Sequence, residues 1–139
     1  IVAAEGWDGF RRLESGALAS AAGLPGKVLS TGGGIVLSEA NRDLMGKTGV
    51  SFYLAADAGL LVGRMMRDPN AAQRPPLTPL DVHEEVVAVM TEREPLYMSS
   101  MDHLLQANRA VEELVDDVLV ALGLKEWDYR QKERVMDRY

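Results

Sequence analysis

Lys27-Val28-Leu29-Ser30-Thr31-Gly32-Gly33-Gly34 is the stretch on which the fold turns. Val28 and Leu29 give residues 27–31 the centre of a short strand, and three consecutive glycines bend the chain sharply after it. Upstream, Val2, Trp7, Phe10, Leu13, Leu18 and Ala21 recur at helical spacing with charged residues between them, which predicts a helix over 1–22. Gly23 and Pro25-Gly26 close it. Downstream, Ser38 is a good N-cap for a helix to about residue 47. Residues 50–54 (VSFYL) read as a buried strand. Asp57 can cap a helix over 58–67, and Asp81 with Glu84 forms a capping-box pattern for a helix to about residue 94. Pro95 should start a short turn over 96–101. Residues 103–106 read as a strand and 110–122 as an amphipathic helix ended by Gly123. Trp127, Tyr129, Val135 and Met136 allow one more helix in the charged tail. Strands alternating with helices predict an α/β fold with a parallel sheet.

Three strands are few for a parallel sheet buried on both faces. The chain also begins at Ile1, and Ile1-Val2-Ala3-Ala4 reads as the middle of a helix. Both features predict that the sequence is a fragment. Composition bounds the rest. The 139 residues are enough for one domain. A net charge of -6 argues against nucleic acid and anionic membrane as partners, because both attract Lys/Arg-rich faces. It leaves room for an anionic ligand held by a few Arg in one cleft. With no Cys and two His, a thiolate or His-based metal site is not expected. No apolar run approaches a membrane span and no signal peptide is visible, which points to the cytoplasm.

Four constellations could carry chemistry. In Phe10-Arg11-Arg12-Leu13-Glu14, Glu14 lies three residues after Arg11 on one helix face and can orient its guanidinium; a routine ion pair on a solvated face fits equally. Gly32, Gly33 and Gly34 follow a strand, where ligands of α/β proteins bind, and would let a ligand approach backbone amides; a plain tight turn also fits. They are not a G-x-x-x-x-G-K-[ST] loop. Gly46-Lys47-Thr48 has that ending, but position 41 is Asn and a strand follows instead of a helix. Residues 68–79 hold Pro69, Pro75, Pro76 and Pro79, so neither a helix nor an inner strand is expected there. Arg74 in that loop suits a lid that closes over phosphate, or simply an exposed loop cation. In Glu92-Arg93-Glu94-Pro95-Leu96-Tyr97, Arg93 either complements a helix dipole or grips a carboxylate with two parallel bonds.

Each pattern is common alone, but their order and spacing are not. W-x-G-F-R-x-x-E, then T-G-G-G after a strand, then an R-P lid, then E-R-x-P-L-Y resembles shikimate kinase, most of all its bacterial type II members. The likeness runs from Ile1 to about Gly123. It implies a P-loop NTPase-like fold, of the nucleoside monophosphate kinase kind, with a parallel sheet, flanking helices and N-terminal strands missing. It implies transfer of the γ-phosphate of ATP to the 3-hydroxyl of shikimate, with Mg²⁺. Arg11 and Arg93 would bind the shikimate carboxylate and Glu14 would support that site. Gly32, Gly33 and Gly34 would meet shikimate through the backbone. Arg74 would contact phosphate and stabilise its charge, and Arg64 and Arg109 would lie near the adenine. Residues 1–123 would form the kinase-like domain, with 1–34 in its shikimate-binding part, 68–80 as lid and 124–139 as a charged tail.

The sequence departs from that pattern in three ways. The P-loop and the D-x-D segment that carries the carboxylate beside the reacting hydroxyl do not occur in the 139 residues. Gln106 stands where the family often has Asp, and the charged tail from Lys125 is a further departure that the resemblance does not explain. The expectation is therefore an enzyme, monomeric at full length, whose given stretch is inactive and folds poorly alone. The alternatives are a non-catalytic shikimate-binding module and a P-loop kinase for another small hydroxylated substrate such as gluconate.

Overall fold

Capping side chains set most helix starts in this chain. Its computed structural model describes residues 1–68 and 81–126. Ser38 accepts from the Asn41 amide and opens α2 (Glu39–Thr48). Asp57 accepts from the Leu60 amide at 2.8 Å and opens α3 (Ala58–Arg67). Asp81 accepts from His83 and Glu84 and opens α4 (Val82–Ser100). Each carboxylate or hydroxyl satisfies amides that the first helical turn leaves without partners. At α5 (Val111–Ala121) Glu113 reaches back to the Ala110 amide at 3.0 Å. The first helix, α1 (Val2–Ala21), bends at Gly6, whose φ of 68° lies in the left-handed region that favours glycine. A 3₁₀ turn, Gly33–Leu37, follows the glycine run.

Among the described residues the sheet has two parallel strands, β1 (Phe52–Ala55) and β2 (His103–Gln106), in the register Phe52 to His103 through Ala55 to Gln106. Parallel neighbours need a long crossover, which here contains α3 and α4 packed on each other. One buried cluster joins four elements. Leu18 of α1 and Ile35 and Val36 of the 3₁₀ turn are buried against Leu44 and Met45 of α2 and Leu96 and Tyr97 of α4. The glycine run therefore enters a turn whose next residues are anchored. Asn41 donates to the Ile35 carbonyl at 3.1 Å and Arg42 to the Val36 carbonyl at 2.6 Å.

Three expectations are corrected. Residues 27–31 are not a strand: no described residue pairs with their backbone, and Val28 is 99% exposed. A strand needs a neighbour for its N–H and C=O groups, so β-branched composition alone does not make one. Residues 50–54 are only half-buried, and Leu54 is exposed. The helix does not stop at residue 94. It runs through Pro95 to Ser100, although proline lacks the N–H that would bond to Thr91. The segment after Pro95 is held from outside by the core contacts of Leu96 and Tyr97, and the Ser100 hydroxyl bonds back to Leu96. The expected lid, apart from Asp68, and the tail beyond Glu126 lie outside the described residues, and so does Arg74.

Candidate functional site

Arg11 is gripped on three sides. Its Nη1 meets Glu14 Oε2 at 2.5 Å, and its guanidinium lies 5.4 Å from the Trp7 ring centre and 5.2 Å from that of Phe10. The two rings meet edge to face. Cations over aromatic faces at this range are attracted by the ring quadrupole, so the head is positioned by three groups on one helix. Trp7, Phe10, Arg11 and Glu14 recur at i, i+3 and i+4, which places them on one face.

That face points at the glycine turn. A Cβ on Gly34 would fall on the Arg11 guanidinium, and one on Gly32 would come within 3.3 Å of Glu14 Oε1. A Cβ on Gly33 would meet the Tyr97 hydroxyl of α4 at 2.6 Å and lie 4.0 Å from Arg93 Nη1. None of the three glycines has a positive φ. Their small size matters here because charged groups crowd the backbone, and the expected role in forcing a sharp turn is secondary.

Arg93 lies on α4 and is 9% exposed, and its Nε is buried with no hydrogen-bond partner. A buried cationic donor without an acceptor costs free energy, and a planar anion is the partner that matches a guanidinium edge. One turn further along α4, the Tyr97 hydroxyl donates to the Gly33 carbonyl at 2.9 Å. Arg11, Glu14, Gly32, Gly33, Gly34 and Arg93 thus come together around one stretch of glycine backbone, exposed at Gly32 and Gly33 and buried at Gly34.

Arg64 and Arg109 are placed elsewhere. Arg64 donates to the Ala107 carbonyl at 2.6 Å, just past β2. Arg109, in the same loop, pairs with Asp117 of α5 at 2.6 Å, a contact that favours its charged form. Both lie at the carboxyl end of β2, a second place where ligands of parallel sheets bind. Gly46-Lys47-Thr48 closes α2, so it cannot present a helix N-terminus to an anion. Among the described residues no group of three or more His, Cys, Asp or Glu fits a metal ion. No described helix is long and apolar enough to cross a membrane.

Trp7 and Tyr97 carried no site role in the sequence. Trp7 could have been placed by its i, i+4 spacing to Arg11. Tyr97 could not, because its partner is 64 residues away.

Comparison with known proteins shows what the chain as a whole is similar to. The family model described as shikimate kinase matches residues 1–123. Shikimate kinase 2 of Syntrophotalea carbinolica is 48% identical over 122 residues, covering 88% of this chain and 70% of that protein. Shikimate kinase 2 of Yersinia enterocolitica is 47% identical over 123 residues, with the same coverage. Among solved structures, shikimate kinase from Acinetobacter baumannii in complex with shikimate superposes with a TM-score of 0.79 at 26% identity, over 91% of this chain and 70% of that one.

Proposed function

This chain belongs to the shikimate kinase family, and we propose that its described residues form the acceptor site of a kinase that moves the γ-phosphoryl group of ATP to the 3-hydroxyl of shikimate. The observation that carries this is the buried, unpartnered Nε of Arg93, whose guanidinium lies beside the same glycine turn that Arg11 abuts. Shikimate offers one carboxylate and three hydroxyls. Arg93 and Arg11 take the carboxylate, and the backbone of Gly32–34 meets the hydroxyls. Glu14 keeps Arg11 aimed, while the Trp7 and Phe10 rings attract its charge.

Phosphoryl transfer asks mainly for positioning and for charge around the transferring group. Arg74 supplies a positive charge to the phosphates in this reading, with 68–80 as the lid. Arg64 and Arg109 flank the adenine at the carboxyl end of β2. Mg²⁺ accompanies ATP, but the described residues do not fit a metal cage and no step here runs through it. Residues 1–123 act as the kinase-like domain and the segment from 124 as its tail. A monomer at full length completes this reading. In this reading the enzyme works in the cytoplasm.

The test is Arg93→Lys and Arg11→Lys in the full-length protein. Lysine keeps the charge but cannot make the planar two-pronged contact. The KM for shikimate should rise at least about tenfold, roughly the loss of one charge-assisted hydrogen bond, with the KM for ATP little changed. An unchanged shikimate KM in both variants would remove the clamp.

A further inference from the structure

We propose that Tyr97 is a positioning residue for the acceptor site, its hydroxyl fixing the Gly33 carbonyl and so the direction of the backbone groups offered to shikimate. The inference rests on the substrate reading given above. Three elements meet at this side chain. Its hydroxyl donates to the Gly33 carbonyl at 2.9 Å. Its ring stacks on Tyr53 of β1, with centres 4.9 Å apart and planes 25° apart. Its backbone follows Arg93 by one helical turn, and Leu96 and Tyr97 pack on the buried Leu18, Ile35 and Val36. The sheet therefore holds the ring, the ring holds the glycine turn, and the same helix sets Arg93 against that turn.

The requirement for glycine at position 33 comes from the same contact. Its φ is not positive, so its backbone would accept a side chain. The steric conflict is with the Tyr97 hydroxyl oxygen at 2.6 Å, whereas the ring carbon behind it is at an ordinary 3.7 Å. Residue 33 has to be small because residue 97 carries an oxygen.

Tyr97→Phe in the full-length protein deletes that oxygen and keeps the stacked ring. Initial rates measured against shikimate and against ATP should show the shikimate KM raised roughly three- to tenfold, the worth of one hydrogen bond. The kcat and the KM for ATP should stay within about twofold, a split that a general loss of folding would not give. An unchanged shikimate KM, or an equal loss in all three constants, overturns the proposal. Thermal melting supplies a second readout that needs no activity. Gly33→Ala should lower the Tm, and adding Tyr97→Phe to it should recover part of that loss, so the two changes are non-additive. Additive losses overturn the proposal. If the wild-type protein left shikimate unphosphorylated, the functional reading would fall while the melting comparison still decided the contact.

Discussion

Arg11 shows how much one residue's use depends on its surroundings. Its carboxylate partner is three residues away and its two rings are one and four residues away, so its orientation is built inside a single helix. What it faces is not local: it occupies the space that a side chain at Gly34 would need. Gly34→Ala should therefore push the guanidinium aside and raise the shikimate KM by about tenfold or more, with the KM for ATP little changed; steady-state rates against each substrate check this. Tyr53 gives a pH prediction. Burial, then Glu94, then Tyr97 raise its phenol above the ordinary value of 10.0. The folded state then keeps this proton after the unfolded state has released it. The contribution to stability is full below the unfolded value and is lost as pH rises past it. As pH rises above about 10 the wild-type Tm should fall more steeply than that of Tyr53→Phe, with tyrosinate absorbance followed alongside.

At the scale of elements, the helix starts were legible because a cap spans only a few residues. Ser38, Asp57 and Asp81 hydrogen-bond to amides two or three positions ahead, and such spacing can be read directly. Asp57→Ala and Asp81→Ala should each destabilise the full-length protein by about 1 kcal/mol in urea unfolding, because each leaves first-turn amides unpaired. Strand β2 was legible for its apolar run between turns. Residues 27–31 have similar composition and failed, because a strand is completed by its neighbour and not by its own side chains. Pro95 misled for a related reason. Local chemistry says stop, while contacts of Leu96 and Tyr97 with α1 and the 3₁₀ turn keep the last turns of α4 helical. The helix carries Arg93 before the proline and Tyr97 after it, so its continuity sets both against the glycine turn.

At the scale of the whole molecule, the buried set is small for the apolar content. Leu18, Ile35, Val36, Val86, Leu105 and Ala107 are the buried apolar residues described, while Val28, Leu54, Met66 and Leu124 are more than half exposed. The 139 residues also contain no G-x-x-x-x-G-K-[ST] pattern. Produced alone, they should bind a hydrophobic dye in native buffer and give no ATP-dependent phosphorylation of shikimate; clear turnover in a coupled assay contradicts this. The sequence by itself determined the α/β class, the helix caps and the family, because these rest on spacing within a few residues and on the order of short motifs. Only the tertiary structure decided that 27–31 stays unpaired, that α4 runs through Pro95, and that Gly33 must be small because of Tyr97. Those outcomes depend on groups up to 64 residues apart, and no local pattern encodes which distant surface will meet which.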